Sequence, residues 1–216
     1  MLSWLQVDIA TSHNAENVTC IMSKVCCSRS AKRKFKSLFL LLPHYLIFIL
    51  GMTFCPQMYG GQTNVAYFAG GCFWCTEAVF QQAPGVTSVV SGYMRNAETI
   101  QVTFDSTRTT YDKLLNLFWR SHNPTEVDRQ GPDIGKRYRS AIFYADEQQR
   151  QAAEKSKAQL EKSGAYSKPI ATEITRAASF RPAPENHQNF CRRNPNNPYV
   201  REVVVPKLQK LGLKRP

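Results

Sequence analysis

Apolar and polar positions alternate cleanly in "TIQVTFD" (99–105), the signature of a half-buried strand. "VAYFAG" (65–70), "VTSVVSGY" (86–93), "YRSAIFY" (138–144) and "ATEITRA" (171–177) carry the β-branched and aromatic enrichment of further strands. Between them, apolar residues recur at helical spacing in "CTEAVFQQA" (75–83), which Pro84-Gly85 stops, and in "TYDKLLNLFWRSH" (110–122), which ends before Asn123-Pro124. "DEQQRQAAEKSKAQLEKSG" (146–164) predicts a long polar helix closed by Gly164, and "PYVREVVVPKLQKL" (198–211) a terminal segment with some helical character. Arg95-Asn96, between two strands, supplies residues for a tight turn. The first elements run β-α-β-β-α-β. That order predicts an α+β protein with a ferredoxin-like split βαβ core, a sheet with helices packed on it, followed by an irregular C-terminal segment.

The first 61 residues differ in character. A basic cluster, "KRKFK" (32–36), precedes the apolar run "SLFLLLPHYLIFILGMTF" (37–54), in the manner of a signal peptide. Met22 is a more natural start for such a signal than Met1. The alternative is a membrane anchor over 38–54, although that stretch is short for a span and is interrupted by Pro43 and His44. The expected organisation is an N-terminal extension over 1–61 and a catalytic domain over 62–216. The expected location is exported, periplasmic or secreted, or membrane-anchored, with the cytoplasm as the alternative.

Net charge is +12, from 28 Lys and Arg against 16 Asp and Glu. No basic run is interleaved with aromatics as single-strand nucleic-acid binders require, so the excess describes a solvated basic surface. Of seven cysteines, four precede residue 62, leaving Cys72, Cys75 and Cys191, an odd number that does not make a disulfide framework.

The chemistry gathers at "GGCFWCTE" (70–77). Cys72 follows a strand and a glycine pair and opens a helix, where free N–H groups and the dipole favour a thiolate. Cys75 falls one turn later, within disulfide reach. The residues themselves leave three readings open. One is a dithiol exchanger. Another is a zinc site that adds His187 and Cys191 of "HQNFC" (187–191), although 111 residues separate the two halves. The third is a nucleophile toward an oxidised sulfur, with Phe73 and Trp74 gripping its apolar neighbour. His122 ends a helix and reads as structural, Glu77 as a complement to its own helix N-terminus, and Phe118 and Trp119 as core.

"GGCFWCTEAVFQQAPGVTSVVSGY" (70–93), "FDSTRTTYDKLLNLFWRSHNPT" (104–125), "RQGPDIGKRYRSAIFY" (129–144) and "ENHQNF" (185–190) together resemble the A-type peptide methionine sulfoxide reductases, from about Val65 to Leu211. The resemblance implies reduction of methionine S-sulfoxide, free or in proteins, by Cys72 attack on sulfur, and protein repair after oxidation. It implies Phe73 and Trp74 as the wall around the substrate methyl group. Glu98 is implied as the acid that protonates the oxygen, and Asp133 and Tyr138 as residues lining the site. No metal or organic cofactor is implied. A thioredoxin-like dithiol would recycle a monomeric enzyme that binds no nucleic acid.

Two departures stand out. Family members carry a much longer connection, with an oxygen-binding Tyr, where "MRN" (94–96) links Tyr93 to Ala97-Glu98. The short link predicts a site more open to water, with less burial to keep Glu98 protonated, and at the extreme an inactive sulfoxide-binding relative. The other departure is "PYV" (198–200), where many members have a resolving cysteine after "PY", which leaves Cys75 and Cys191 as candidates and Cys75 with the better local geometry. The competing function is a thiol–disulfide oxidoreductase, which has no need of Glu98, Tyr138 or the aromatic wall.

Overall fold

The computed structural model describes residues 63–216, and the expected extension and its 38–54 segment lie outside them. Strand β1 (Thr63–Gly70) leads through a two-residue corner into helix α1 (Phe73–Phe80), and β2 (Val86–Met94) and β3 (Ala97–Asp105) form a hairpin. Helix α2 (Tyr111–Ser121) follows, then the two-residue strands β4 (Arg129–Gln130) and β5 (Asp133–Ile134), which pair with each other. Next come β6 (Ser140–Tyr144), α3 (Glu147–Lys162), β7 (Glu173–Arg176), β8 (Arg181–Pro182), the short α4 (Phe190–Arg193), a π turn over Val200–Val204 and α5 (Val205–Lys210).

The main sheet has the order β7-β6-β1-β3-β2-β8. Its inner four strands are antiparallel throughout, with β3 lying between β1 and β2. That is the split βαβ arrangement predicted from the element order. β7 adds in parallel beyond β6, and β8 pairs with the far edge of β2.

Period-two alternation divides the sheet into two faces. Ala66, Phe68, Ile100, Val102, Phe104 and Ile142 join the core under the helices, together with Val79, Phe80, Leu114, Leu115 and Phe118. Ala69, Met94, Ala97, Ala141 and Phe143 form a smaller cluster on the other face, covered by Ala177 and Phe180. Glu98 belongs by register to the helix-covered face, two positions before Ile100. The sheet therefore points this carboxyl group toward α1.

The hairpin is as tight as the turn residues predicted: Met94 pairs with Ala97, and Arg95 (φ 48°) and Asn96 (φ 61°) both take the left-handed conformation of a type I′ turn. The corner before α1 needs Gly71. Its φ is +91°, and a Cβ there would lie 2.6 Å from the Gln130 side chain. Tyr138 departs from expectation. It ends a 3₁₀ turn over Lys136–Tyr138 rather than opening the strand, which starts at Ser140. The positive φ of Gly135 (131°) sets up that turn.

Candidate active site

Cys72 is the N-cap of α1, and its carbonyl accepts from the Cys75 and Thr76 amides at 3.1 and 3.3 Å. The next free amide, that of Phe73, donates to Glu98 Oε2 at 3.0 Å. A carboxyl group from the sheet is thus fixed at the helix N-terminus one residue from the sulfur, where the dipole favours it. Glu98 is only 6% exposed, and burial raises its pKa above the ordinary glutamate value, opposed by the Phe73 amide and by Arg137. The expected exposure of Glu98 is overturned here: pairing across the tight hairpin and the cover of α1 bury it without the longer connection.

Cys72, Cys75 and Cys191 are all reduced and buried. The neighbouring sulfurs of Cys72 and Cys75 split their acidities, because the pair favours a single negative charge. Cys75 is drawn down to about 7, chiefly by Cys72, with further help from Lys207 and Tyr199. Cys72 is pushed up by Cys75 and by burial, and Glu98 adds to this. Cys191 stands apart: its thiol donates to the Trp74 carbonyl at 3.3 Å, and burial pushes it up to about 12. Among the described residues no group of three or more His, Cys, Asp or Glu is placed to hold a metal ion, so the zinc reading finds no ligand set.

Tyr199 completes the cluster and was not singled out from the sequence. Its hydroxyl donates to Asp133 Oδ2 at 2.6 Å and lies 3.6 Å from Cys75 Sγ. One phenol proton thus has two claimants, the Asp133 carboxylate and the Cys75 sulfur. The dipeptide "PY" carried the signal, but it drew notice only for the missing cysteine after it. Tyr138 sits half-buried at the rim, and burial, followed by the charge of Glu98, pushes its phenol upward.

The aromatic wall is continuous. Phe73 meets the rings of Tyr93 and His187 at 5.5 and 5.7 Å. Trp74 lies flat on Phe190, 3.6 Å between centroids and 5° between planes, and stacks on His187 at 5.7 Å. Glu77 holds this wall together rather than its own helix terminus, correcting the expectation. Its carboxylate is 1% exposed and accepts from the amide of Asn189, a left-handed residue (φ 53°), at 2.9 Å. Gln81 reaches Asn189 Oδ1 at 2.8 Å from the next turn of α1. His122 is structural as predicted: Nδ1 donates to the Phe118 carbonyl at 2.8 Å, so Nε2 accepts from Ser140 Oγ at 2.7 Å. Burial takes its pKa down to about 4.

The model of the peptide methionine sulfoxide reductase family matches residues 64–97 and 95–215. The chain belongs to this family. The two matched stretches meet, overlapping by three residues, at the hairpin that holds the Arg95-Asn96 turn. The MsrA enzyme of Natronomonas pharaonis is 41% identical over 164 residues, 68% of this chain and 92% of its own length. That of Pasteurella multocida is 40% identical over 169 residues, 70% of this chain and 96% of its own. Among solved structures, reduced Mxr1 of Saccharomyces cerevisiae superposes with a TM-score of 0.60 at 26% identity, over 64% of this chain and 89% of that one. Methionine sulfoxide reductase A of Corynebacterium diphtheriae superposes at 0.55 with 30% identity, over 63% and 76%. As an A-type reductase, the protein is an oxidoreductase that returns methionine S-sulfoxide to methionine.

Proposed function

We propose that Cys72 is the nucleophile of this reductase, Glu98 its general acid and Cys75 its resolving thiol. The observation that carries this reading is the Phe73 amide bond to Glu98, which places the carboxyl group beside Cys72. Cys72 is also the more exposed residue of the pair, 7% against 1%. In the resting pair the charge favours Cys75. As the sulfoxide sulfur approaches, the Cys72 proton passes to the neighbouring Cys75 sulfur, and the Cys72 thiolate attacks. Glu98, its pKa raised by burial, gives its proton to the sulfoxide oxygen, weakening the S–O bond. The S–O bond breaks as the bond from Cys72 to the substrate sulfur forms. The freed hydroxide attacks the Cys72 sulfur, and methionine leaves with the electron pair of that sulfur–sulfur bond, so that Cys72 becomes a sulfenic acid. Cys75 then attacks the Cys72 sulfur. Water departs, and a disulfide remains for an external dithiol of the thioredoxin type to reduce.

Phe73 and Trp74 wall the substrate methyl, and Tyr138 at the rim supplies a second hydroxyl donor to the oxygen. Asp133 acts through Tyr199, orienting the phenol that faces Cys75. Export or anchoring through 38–54 is part of the same reading, supported by the basic cluster before that apolar run. The test supplies dithiothreitol with either a methionine sulfoxide peptide or a scrambled disulfide protein. Release of methionine peptide is expected. Turnover of the disulfide protein alone would refute the reading in favour of a thiol–disulfide oxidoreductase.

A further inference from the structure

Two guanidinium groups, those of Arg137 and Arg181, stand beside residues of the site, and a third, that of Arg95, lies at the hairpin turn next to it. Arg137 lies over the Tyr138 ring, 5.6 Å from its centroid, close enough to Glu98 to act on its charge. Arg181 lies over Tyr93 at 4.7 Å, and Tyr93 is both the cross-strand partner of Glu98 and a ring neighbour of Phe73. Arg95 forms the exposed hairpin turn, three residues before Glu98, and its Nε donates to the Arg176 carbonyl at 3.3 Å. Among the described residues none of the three forms an ion pair.

Two neighbouring acids are already paired, Glu173 with Arg139 at 3.2 Å and Glu185 with Arg193. Asp133 keeps its charge, because the Tyr199 phenol that donates to it is neutral. Glu98 is buried beneath the rim. The fold takes particular trouble to bring Arg181 to this place. β8 can lie against β2 only because residue 92 is glycine: a Cβ there would fall 2.4 Å from the Phe180 ring and 2.6 Å from the Arg181 carbonyl. The guanidinium charges of Arg137, Arg181 and Arg95 therefore outnumber the Asp133 carboxylate beside a site that accepts a neutral sulfoxide.

We propose that this mouth selects methionine sulfoxides carried in acidic polypeptide segments, with flanking carboxylates received by Arg137, Arg181 and Arg95. The proposal rests on the reductase reading. An extended substrate rises about 3.3 Å per residue, so side chains two or three positions from the sulfoxide reach a rim of this size. Guanidinium groups stacked on aromatic rings are well suited to meet them. They are weakly hydrated, and their planar donor fork matches a carboxylate.

The experiment measures kcat/KM for three peptides of equal length in which the methionine sulfoxide is flanked by Asp, Ser or Lys. Dithiothreitol serves as reductant, so that no protein reductant docks. The expected order is Asp over Ser over Lys. Two or three partly screened pairs give roughly a tenfold span between the extremes at low salt, carried by KM and shrinking as salt is added. Arg137→Glu combined with Arg181→Glu should reverse the order, a readout internal to each variant that loss of folding cannot imitate. Equal rates for all three peptides would overturn the preference and leave the reductase reading standing. A charge effect seen only when a protein dithiol replaces dithiothreitol would also overturn it, making the rim a reductant dock. Failure to reduce even the Ser peptide would overturn the reductase reading and this preference together.

Discussion

Replacing Glu77 by Ala removes the tie between α1 and the segment that carries His187, Phe190 and Cys191. The carboxylate accepts the Asn189 amide at 2.9 Å. Without it, that amide loses its acceptor in a nearly closed interior, a loss that costs about 1–3 kcal/mol. Relief of the buried charge offsets part of this, since burial already raises the Glu77 pKa above its ordinary value. A net loss of about 1–2 kcal/mol follows, which for a domain of this size lowers Tm by roughly 2–8 °C. Thermal unfolding followed by circular dichroism measures it. The same change should raise KM more than it lowers kcat, because the Phe190 ring that backs Trp74 loses its anchor while Cys72 and Glu98 keep theirs. Glu77→Gln preserves an acceptor oxygen and should lose less. It also separates charge from hydrogen bonding. A folded pKa raised above the unfolded one gives a contribution present below the unfolded value and lost as pH rises through the folded value. The Gln variant lacks that loss, so its deficit against wild type should shrink as pH rises from about 4.5 toward neutrality. An Ala variant with unchanged Tm and KM would show that Glu77 holds nothing together.

Tyr199→Phe removes the hydroxyl shared by Asp133 and Cys75, so the Cys75 thiol, now at about 7, should titrate at higher pH. Thiolate ultraviolet absorbance against pH reads this directly, and an unmoved midpoint would remove Tyr199 from the thiol cluster. Glu98→Gln keeps the partner of the Phe73 amide but cannot give a proton, and should slow the first turnover by about 10²–10⁴ with folding intact. In wild type the first-turnover rate should fall below about pH 7, as the dithiol pair regains its proton, and should also fall, on an alkaline limb, once pH passes the raised value at which Glu98 loses its own. A Gln variant that retains the alkaline limb would assign that limb to another group.

The sheet and its two long helices were legible because their signals are local: alternation in 99–105, helical spacing in 110–122, and a turn pair at Arg95-Asn96. The place of Glu98 was partly legible too, since counting by twos from Phe104 puts it on the core face. Its burial was not. The absent connection is read easily as lost cover, whereas the cover comes from α1 itself through the Phe73 amide. Glu77 and Tyr199 escaped for one physical reason. Their partners lie 112 and 124 residues away in sequence, and no local pattern encodes a contact of that range. Strands β4, β5 and β8 have two residues each, too few for any period to declare itself. Tyr138 looked like the first residue of a strand because "YRSAIFY" continues its pattern, but the turn set by Gly135 claims it first.

The central claim is that the Cys72 thiolate attacks sulfoxide sulfur and that Cys75 resolves the product. Reduced enzyme given one equivalent of a methionine S-sulfoxide peptide, with no other reductant present, should release one methionine peptide per chain. Peptide mapping should then find a single new disulfide, between Cys72 and Cys75, with Cys191 still free to react with alkylating agent. In Cys75→Ser, methionine should still form once, leaving a sulfenic acid at Cys72 that a dione probe traps. A disulfide that includes Cys191, or a sulfenic acid found at Cys75 rather than Cys72, would contradict the account.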